Sequence, residues 1–194
     1  MKKTKQELIK MLLKAYVGES LARLRYTFYA KVARKENLFK LEEIFQITSE
    51  NELEHAEWFS RMIKSLDPNF EIEEITLEEH LSLGNSIANL ETAIQGENYE
   101  NSKFYLEIAK LAEDLNYLEI AKRVRAIAIA EKHHEERFRK FLEQLKNNTL
   151  LKKEKNVYWV CRKCGYIHYG KEPPLECPSC GHSKEYYELM NEEY

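Results

Sequence analysis

Four stretches of this chain repeat apolar, aromatic or small residues in alternating steps of four and three, and each stripe is interrupted by one glutamate. The first runs Leu8, Leu12, Ala15, Glu19, Ala22, Tyr26, Tyr29 and Ala33, and the second Leu41, Phe45, Thr48, Glu52, His55, Phe59 and Met62. The third is Ile87, Leu90, Ile94, Glu97, Asn101, Phe104, Ile108 and Leu111, with Glu100 beside it. The fourth is Ile120, Val124, Ile127, Glu131, His134, Phe138, Phe141 and Leu145. Such spacing puts each set on one face of a helix. Four helices with narrow inward seams predict a four-helix bundle.

The joins set the topology. Helices one and two meet closely around Glu36-Asn37, and three and four around Asn116, whereas residues 66–77 form a longer piece opened by Asp67-Pro68-Asn69. One long crossover in the middle is the ferritin-like arrangement. Glu78, Glu79 and His80, just before the third stripe, read as a solvated helix start.

The glutamates then demand an explanation. A carboxylate buried in a bundle core without a partner costs several kcal/mol, and no Lys or Arg shares these seams. Four inward carboxylates and two inward histidines imply a cation from outside. Glu52 to His55 and Glu131 to His134 are both Glu-x-x-His, and residues three apart on a helix can grip one ion together. Glu19 and Glu97 supply one carboxylate each from the other two helices. That is the di-iron or di-manganese carboxylate recipe, and its oxygen and imidazole donors suit iron or manganese better than copper. A repeat supports a two-fold site: Glu52, His55, Glu57, Phe59 recurs 79 residues later as Glu131, His134, Glu136, Phe138, and Gly18-Glu19 recurs 78 residues later as Gly96-Glu97. A Glu-rich helical chain can produce one Glu-x-x-His by chance; two of them with two further seam glutamates is a pattern. His133 falls off the seam, and the seam aromatics read as core, with Tyr26 and Tyr105 close enough to the ligands to act on them.

Residues 157–194 are of another kind. They hold three of the six glycines, three of the four prolines and all four cysteines. The expected division is a helical bundle over residues 1–146, a polar linker over 147–156 and a small turn-built module over 157–194. Cys161-Arg162-Lys163-Cys164-Gly165 and Cys177-Pro178-Ser179-Cys180-Gly181 are two Cys-x-x-Cys-Gly knuckles twelve residues apart. Four thiolates so spaced make a tetrahedral sulfur site for iron or for zinc, and spacing alone does not choose between them. A structural zinc ribbon is the serious rival, and a disulfide pairing is disfavoured by a reducing compartment.

Charge excludes other classes. With 30 Lys and Arg against 33 Asp and Glu, and a formal net charge of −3, the chain lacks the basic footprint of a nucleic-acid binder and does not suit an anionic membrane. No stretch is long and apolar enough to span a bilayer. No export signal is visible, because Lys10 and Lys14 flank the short run Met11-Leu12-Leu13, so a cytoplasmic protein is expected.

Along nearly its whole length the chain resembles the rubrerythrins. Tyr16 to Ser20 with Arg23, Arg25 and Tyr26 is similar to their first helix. Glu52 to His55, Gly96 to Glu100 with Tyr105, and Glu131 to His134 fall where that family's ligands fall, and the tail around Cys164-Gly165-Tyr166 and Cys177 to Gly181 is similar to a rubredoxin. The resemblance implies a peroxide reductase in which hydrogen peroxide, two electrons and two protons give two waters. Glu19, Glu52, His55, Glu97, Glu100, Glu131 and His134 would hold two irons, and Cys161, Cys164, Cys177 and Cys180 a third iron that re-reduces the pair. It further implies that Glu100 trades places with His55 as the iron changes oxidation state, ferric iron being the harder ion. Tyr26 and Tyr105 would hydrogen-bond to bound oxygen. A homodimer is expected, one subunit's rubredoxin-like module facing the other's di-iron site, with electrons from an NAD(P)H-linked reductase or a rubredoxin. Two rivals share parts of this pattern. A ferritin-like ferroxidase needs the bundle but not the thiolate site, and a non-catalytic electron carrier needs the tail but not seven inward ligands.

Overall fold

The computed structural model describes residues 4–72 and 83–191. The last part of the expected crossover, and Glu78, Glu79 and His80, lie outside the described residues. The bundle is built from α1 (Lys5–Lys35), α2 (Phe39–Leu66), a third helix in two parts, and α5 (Leu118–Lys146). The third helix starts as α3 (Ser86–Tyr99), passes through a π-helical turn (Glu100–Phe104) and continues as α4 (Tyr105–Asp114). Thr4 and Asn85 cap α1 and α3, their side chains accepting from the backbone N–H of Glu7 and Ala88. Three helix ends use one device. Asn37, Asn116 and Asn148 take positive φ of 58°, 64° and 53°. The residue after each donates its N–H to the carbonyl five positions back, Leu38 to Ala33 at 2.9 Å, Tyr117 to Ala112 at 2.8 Å and Thr149 to Gln144 at 2.9 Å. Asparagine tolerates this left-handed cap better than other non-glycine residues.

The core comes in two apolar halves. One joins Leu8 to Ala15 with Phe59, Met62, Tyr105, Ile108 and Val124; the other joins Ala22 to Ala33 with Leu41, Phe45, Leu90, Ile94 and Phe138. Between them, at the same height on all four helices, lies a band of buried acids: Glu19, Glu52, Glu97 and Glu131.

The first, second and fourth stripes face the core as expected, with His55 and Leu145 only partly buried. The third departs from the expected one. Ile87 is 37% exposed while Ser86 and Asn89 are buried, and past Glu97 it is Tyr105, not Phe104, that is fully buried. The π-turn is the reason for the second difference, past Glu97. Tyr105 donates its N–H to the Glu100 carbonyl five residues back, so the turn holds one more residue than an α-helix and rotates the following seam by that amount.

Residues 157–191 form a three-stranded antiparallel sheet of β1 (Val157–Cys161), β2 (Ile167–Gly170) and β3 (Tyr187–Leu189) in the order β2-β1-β3. Trp159 anchors its small core with Cys161, Cys177 and Tyr187, and the indole N–H donates to the Gly170 carbonyl at 3.0 Å. This module rests on the α1–α2 corner. Phe39 stacks on Tyr186 with ring centroids 4.0 Å apart, Arg162 pairs with Glu43 at 2.8 Å, and Lys40 pairs with Glu188 at 3.0 Å.

Candidate metal centre

Helical spacing delivers six of the seven bundle residues to one place. Two clusters form, Glu19–Glu52–His55–Glu131 and Glu52–Glu97–Glu131–His134, each with its candidate ligand atoms within 4.8 Å of one another. Glu52 and Glu131 belong to both. Glu52 sets Oε2 3.0 Å from Nδ1 of His55 and Oε1 3.2 Å from Nδ1 of His134. Glu131 does the same with Oε1 at 2.7 Å and Oε2 at 2.8 Å. Each of these carboxylates therefore offers one oxygen to each half of the site, the geometry of a bridging ligand. Glu19 lies only on the His55 side, at 3.7 Å, and Glu97 only on the His134 side, at 3.5 Å. The imidazoles stand 5.9 Å apart, centroid to centroid.

The electrostatics call for cations. Burial raises the Glu19 carboxyl well above its usual range, and Glu131 and Glu52 push it further. Burial, then Glu52, does the same to Glu131. Burial works against a charged His134, yet hydrogen bonds to Glu131, Glu52 and Glu97 push the imidazole up to about 12. Glu19 Oε2 is buried with no hydrogen-bond partner, and Glu52 Oε1, Glu97 Oε2 and both oxygens of Glu131 meet only an imidazole nitrogen. Orphaned oxygens facing one another in a dry core fit a pair of divalent ions, and an oxygen and imidazole donor set fits iron.

Glu100 stands apart from both clusters. Its Oε1 lies against Gly18, 3.9 Å from where a Cβ would stand. Burial raises its carboxyl, with Glu97, Glu131 and Glu52 adding to the effect and Arg25 opposing it. Tyr105 donates to Glu19 Oε1 at 2.6 Å, and Tyr26 donates to Glu97 Oε1. Both phenols are pushed up by burial and then by nearby carboxylates, so they stay protonated donors. His55 is the most open member, its side chain 12% exposed where those of Glu19, Glu52 and Glu131 are at 1% or below.

The tail brings its four cysteines together as free thiols. Sγ of Cys161 lies 3.8 Å from that of Cys180, and Sγ of Cys164 lies 3.7 Å from that of Cys177. A tetrahedron of sulfurs about 2.3 Å from a central ion has edges of about 3.8 Å, so the spacing fits one thiolate-bound ion. Gly165 and Gly181 take φ of 76° and 72°, and their N–H groups close each knuckle on the carbonyls of Cys161 and Cys177 at 2.8 and 2.9 Å. Burial opposes ionisation of Cys177, but hydrogen bonds from Tyr187 and from the N–H groups of Ser179 and Cys180 bring the thiol down to about 6.

Sequence reasoning missed the residues around this band. Arg25 lies near Glu100. Arg137 donates to the buried Thr48 hydroxyl at 2.6 Å, one turn from Glu52. Glu135 receives the side-chain amides of Asn98 and Asn101. The only signal for them was adjacency: Arg25 precedes Tyr26, Glu135 follows His134, and two amides one turn apart flank Glu100.

Comparison with known proteins agrees with this geometry. The family profile described as rubrerythrin matches residues 10–142, and the one described as rubrerythrin, rubredoxin-like domain, matches residues 159–188. A putative rubrerythrin of Methanocaldococcus jannaschii is 48% identical, over 97% of this chain and 95% of its own length. The rubrerythrin of Nitratidesulfovibrio vulgaris is 35% identical over 93% of each. Among solved structures, nigerythrin in a mixed-valence state superimposes with a TM-score of 0.64 at 24% identity, over 94% of this chain and 86% of that one. A ferritin-like di-iron carboxylate protein of Bacillus anthracis gives 0.62 at 25% identity, over 73% of this chain and 99% of that one. With a two-ion carboxylate band, a four-thiolate knuckle pair and both family profiles on one chain, the protein belongs to the rubrerythrin family.

Proposed function

We propose that this iron-based redox protein is a peroxide reductase. Glu19, Glu52, His55, Glu97, Glu131 and His134 hold a pair of irons, Glu100 is a seventh, exchangeable carboxylate, and Cys161, Cys164, Cys177 and Cys180 hold a single iron. The observation that carries the reading is the pairing, on one chain, of a site for two ions sharing Glu52 and Glu131 with a site for one thiolate-bound ion. When bound, the paired irons supply two electrons to hydrogen peroxide, which with two protons gives two waters.

The chain's own residues do the rest. Four carboxylates in the band balance two divalent charges in a water-poor core. Tyr26 and Tyr105 hold Glu97 and Glu19 in place through their hydroxyls and keep two phenolic protons beside the site. His55, on the more open side, is the ligand best able to leave, and Glu100, half-buried with Oε1 against Gly18, is the acid that would succeed it. A small oxidant such as peroxide can enter on that side.

We infer that the protein works in the cytoplasm, where four free thiols stay reduced. It acts as a homodimer in which one subunit's tail faces the partner's paired irons, and it draws electrons from an NAD(P)H-linked reductase or a rubredoxin. The test is Cys161→Ser. The variant should keep its bundle irons, and a single oxidation of pre-reduced protein by peroxide should proceed at the wild-type rate, while steady turnover with an external reductant falls at least tenfold. A ferroxidase would show no dependence of turnover on Cys161. Failure of peroxide to oxidise the pre-reduced variant would overturn the division of labour.

A further inference from the structure

Glu135 is a buried acid that the paired-ion site does not use. It follows His134 on α5, is 7% exposed, and belongs to neither ligand cluster. It faces the third helix instead. Its Oε1 accepts from Arg139 Nε at 2.7 Å and from Asn98 Nδ2 at 3.2 Å, and its Oε2 accepts from Asn101 Nδ2 at 2.8 Å. Asn101 Nδ2 also donates to the Glu97 backbone carbonyl at 2.6 Å, so one amide ties α5 to the backbone of a candidate ligand.

The location of these two asparagines is the point. Asn98 and Asn101 directly follow Glu97 and Glu100, the two acids that the third helix brings to the band, and Asn101 lies inside the π-turn (Glu100–Phe104). A π-turn is rare and occurs often at functional sites. An ordinary i, i+4 ion pair between Glu135 and Arg139 would involve neither asparagine.

We propose that Glu135 is a positioning residue: through Asn98 and Asn101 it clamps the π-turn and so sets where Glu97 and Glu100 present their carboxylates to the paired irons. The proposal rests on the reading of those two acids as ligands given above. Loss of the clamp loosens the carboxylates that favour ferric iron more than it disturbs the imidazoles, so the ferric state is the one that suffers.

Three variants test this: Glu135→Gln, Asn101→Ala and, as a control that removes only the ion pair within α5, Arg139→Ala. Hydrogen exchange on metal-free protein reads the clamp without any ligand. Amides of residues 101–105 should exchange roughly ten- to a hundredfold faster in Glu135→Gln and Asn101→Ala, as expected for a lost hydrogen bond to a buried charge, and near the wild-type rate in Arg139→Ala. On iron-loaded protein the potential of the bundle irons should shift positive in the first two variants and stay at the wild-type value in the control. Unchanged exchange in the first two variants would overturn the clamp. Faster exchange with an unchanged potential would leave a structural bond only and overturn the positioning role. Should either of the two not fold, Asn98→Ala, at an exposed position that also donates to Glu135, decides: a smaller change in the same direction supports the clamp, and no change overturns it. A wild-type bundle that takes up no iron would overturn the ligand reading itself, a failure separable from the others because the exchange arm needs no metal.

Discussion

Glu52 and Glu131 reach both histidines, whereas Glu19 and Glu97 each reach one. This asymmetry makes a prediction about occupancy. Glu131→Ala removes an oxygen from each half of the site and should take the bundle from two irons toward none. Glu19→Ala touches only the His55 half and should leave about one, with the tail's iron kept in both variants. Metal analysis on each protein checks this, and equal losses from the two variants would contradict the bridging geometry. At this scale much was legible in the sequence. A glutamate set among Ala, Tyr and Leu at helical spacing is a buried acid whatever the fold's details, and Glu-x-x-His places two donors on one face. Glu135 and Asn101 were not legible as partners, because their bonds run between helices 34 positions apart and no period links them. The tyrosines were legible as neighbours of the ligands, but their donation to Glu97 and Glu19 needed coordinates.

Among the elements, the third helix is the one whose sequence misleads. Phe104 and Tyr105 are both aromatic, so a stripe of steps of three and four passes through Phe104 as easily as a π-turn delivers Tyr105. Only burial separates the two readings, and it selects Tyr105. The extra residue keeps Glu97 and Tyr105, eight positions apart, on one seam, where a continuous α-helix would need seven. Deleting the exposed Ser102 should therefore give a straight α-helix that retains both seams. The variant is expected to fold with unchanged helix content by circular dichroism and a melting temperature equal to or above wild type, because both seams keep their packing and the common α-helical form replaces the rare π-turn. The absorption of its ferric bundle irons should change, since Glu100 rides on the turn. An unfolded deletion variant would show that the π-turn is part of the core's packing and not an inserted residue. The other helices were legible from their stripes, with Asn37 and Asn148 lying just beyond the ends of α1 and α5, whereas the caps themselves needed coordinates.

For the whole molecule, the two metal sites belong to different kinds of fold, and the chain joins them at one corner. Phe39 on Tyr186, Arg162 on Glu43 and Lys40 on Glu188 fix the tail against the start of α2. Glu43 precedes Glu52 by nine residues, about 13 Å along the helix, so the contact points of the tail lie more than two turns from the carboxylate band. Lopsided glycine, proline and cysteine usage was enough to separate the two kinds of sequence, whereas the docking corner depends on exposed side chains that no pattern marks. Peroxide reduction and ligand exchange both require the two sites to hold iron at once. The most direct test is metal content with a visible spectrum of aerobically purified protein. Three irons per chain are predicted, two in the bundle and one in the tail, with the thiolate-to-iron absorption bands abolished by Cys161→Ser and the bundle's ferric bands retained. One tightly bound zinc per chain, and no iron in the bundle even after anaerobic loading, would contradict the account.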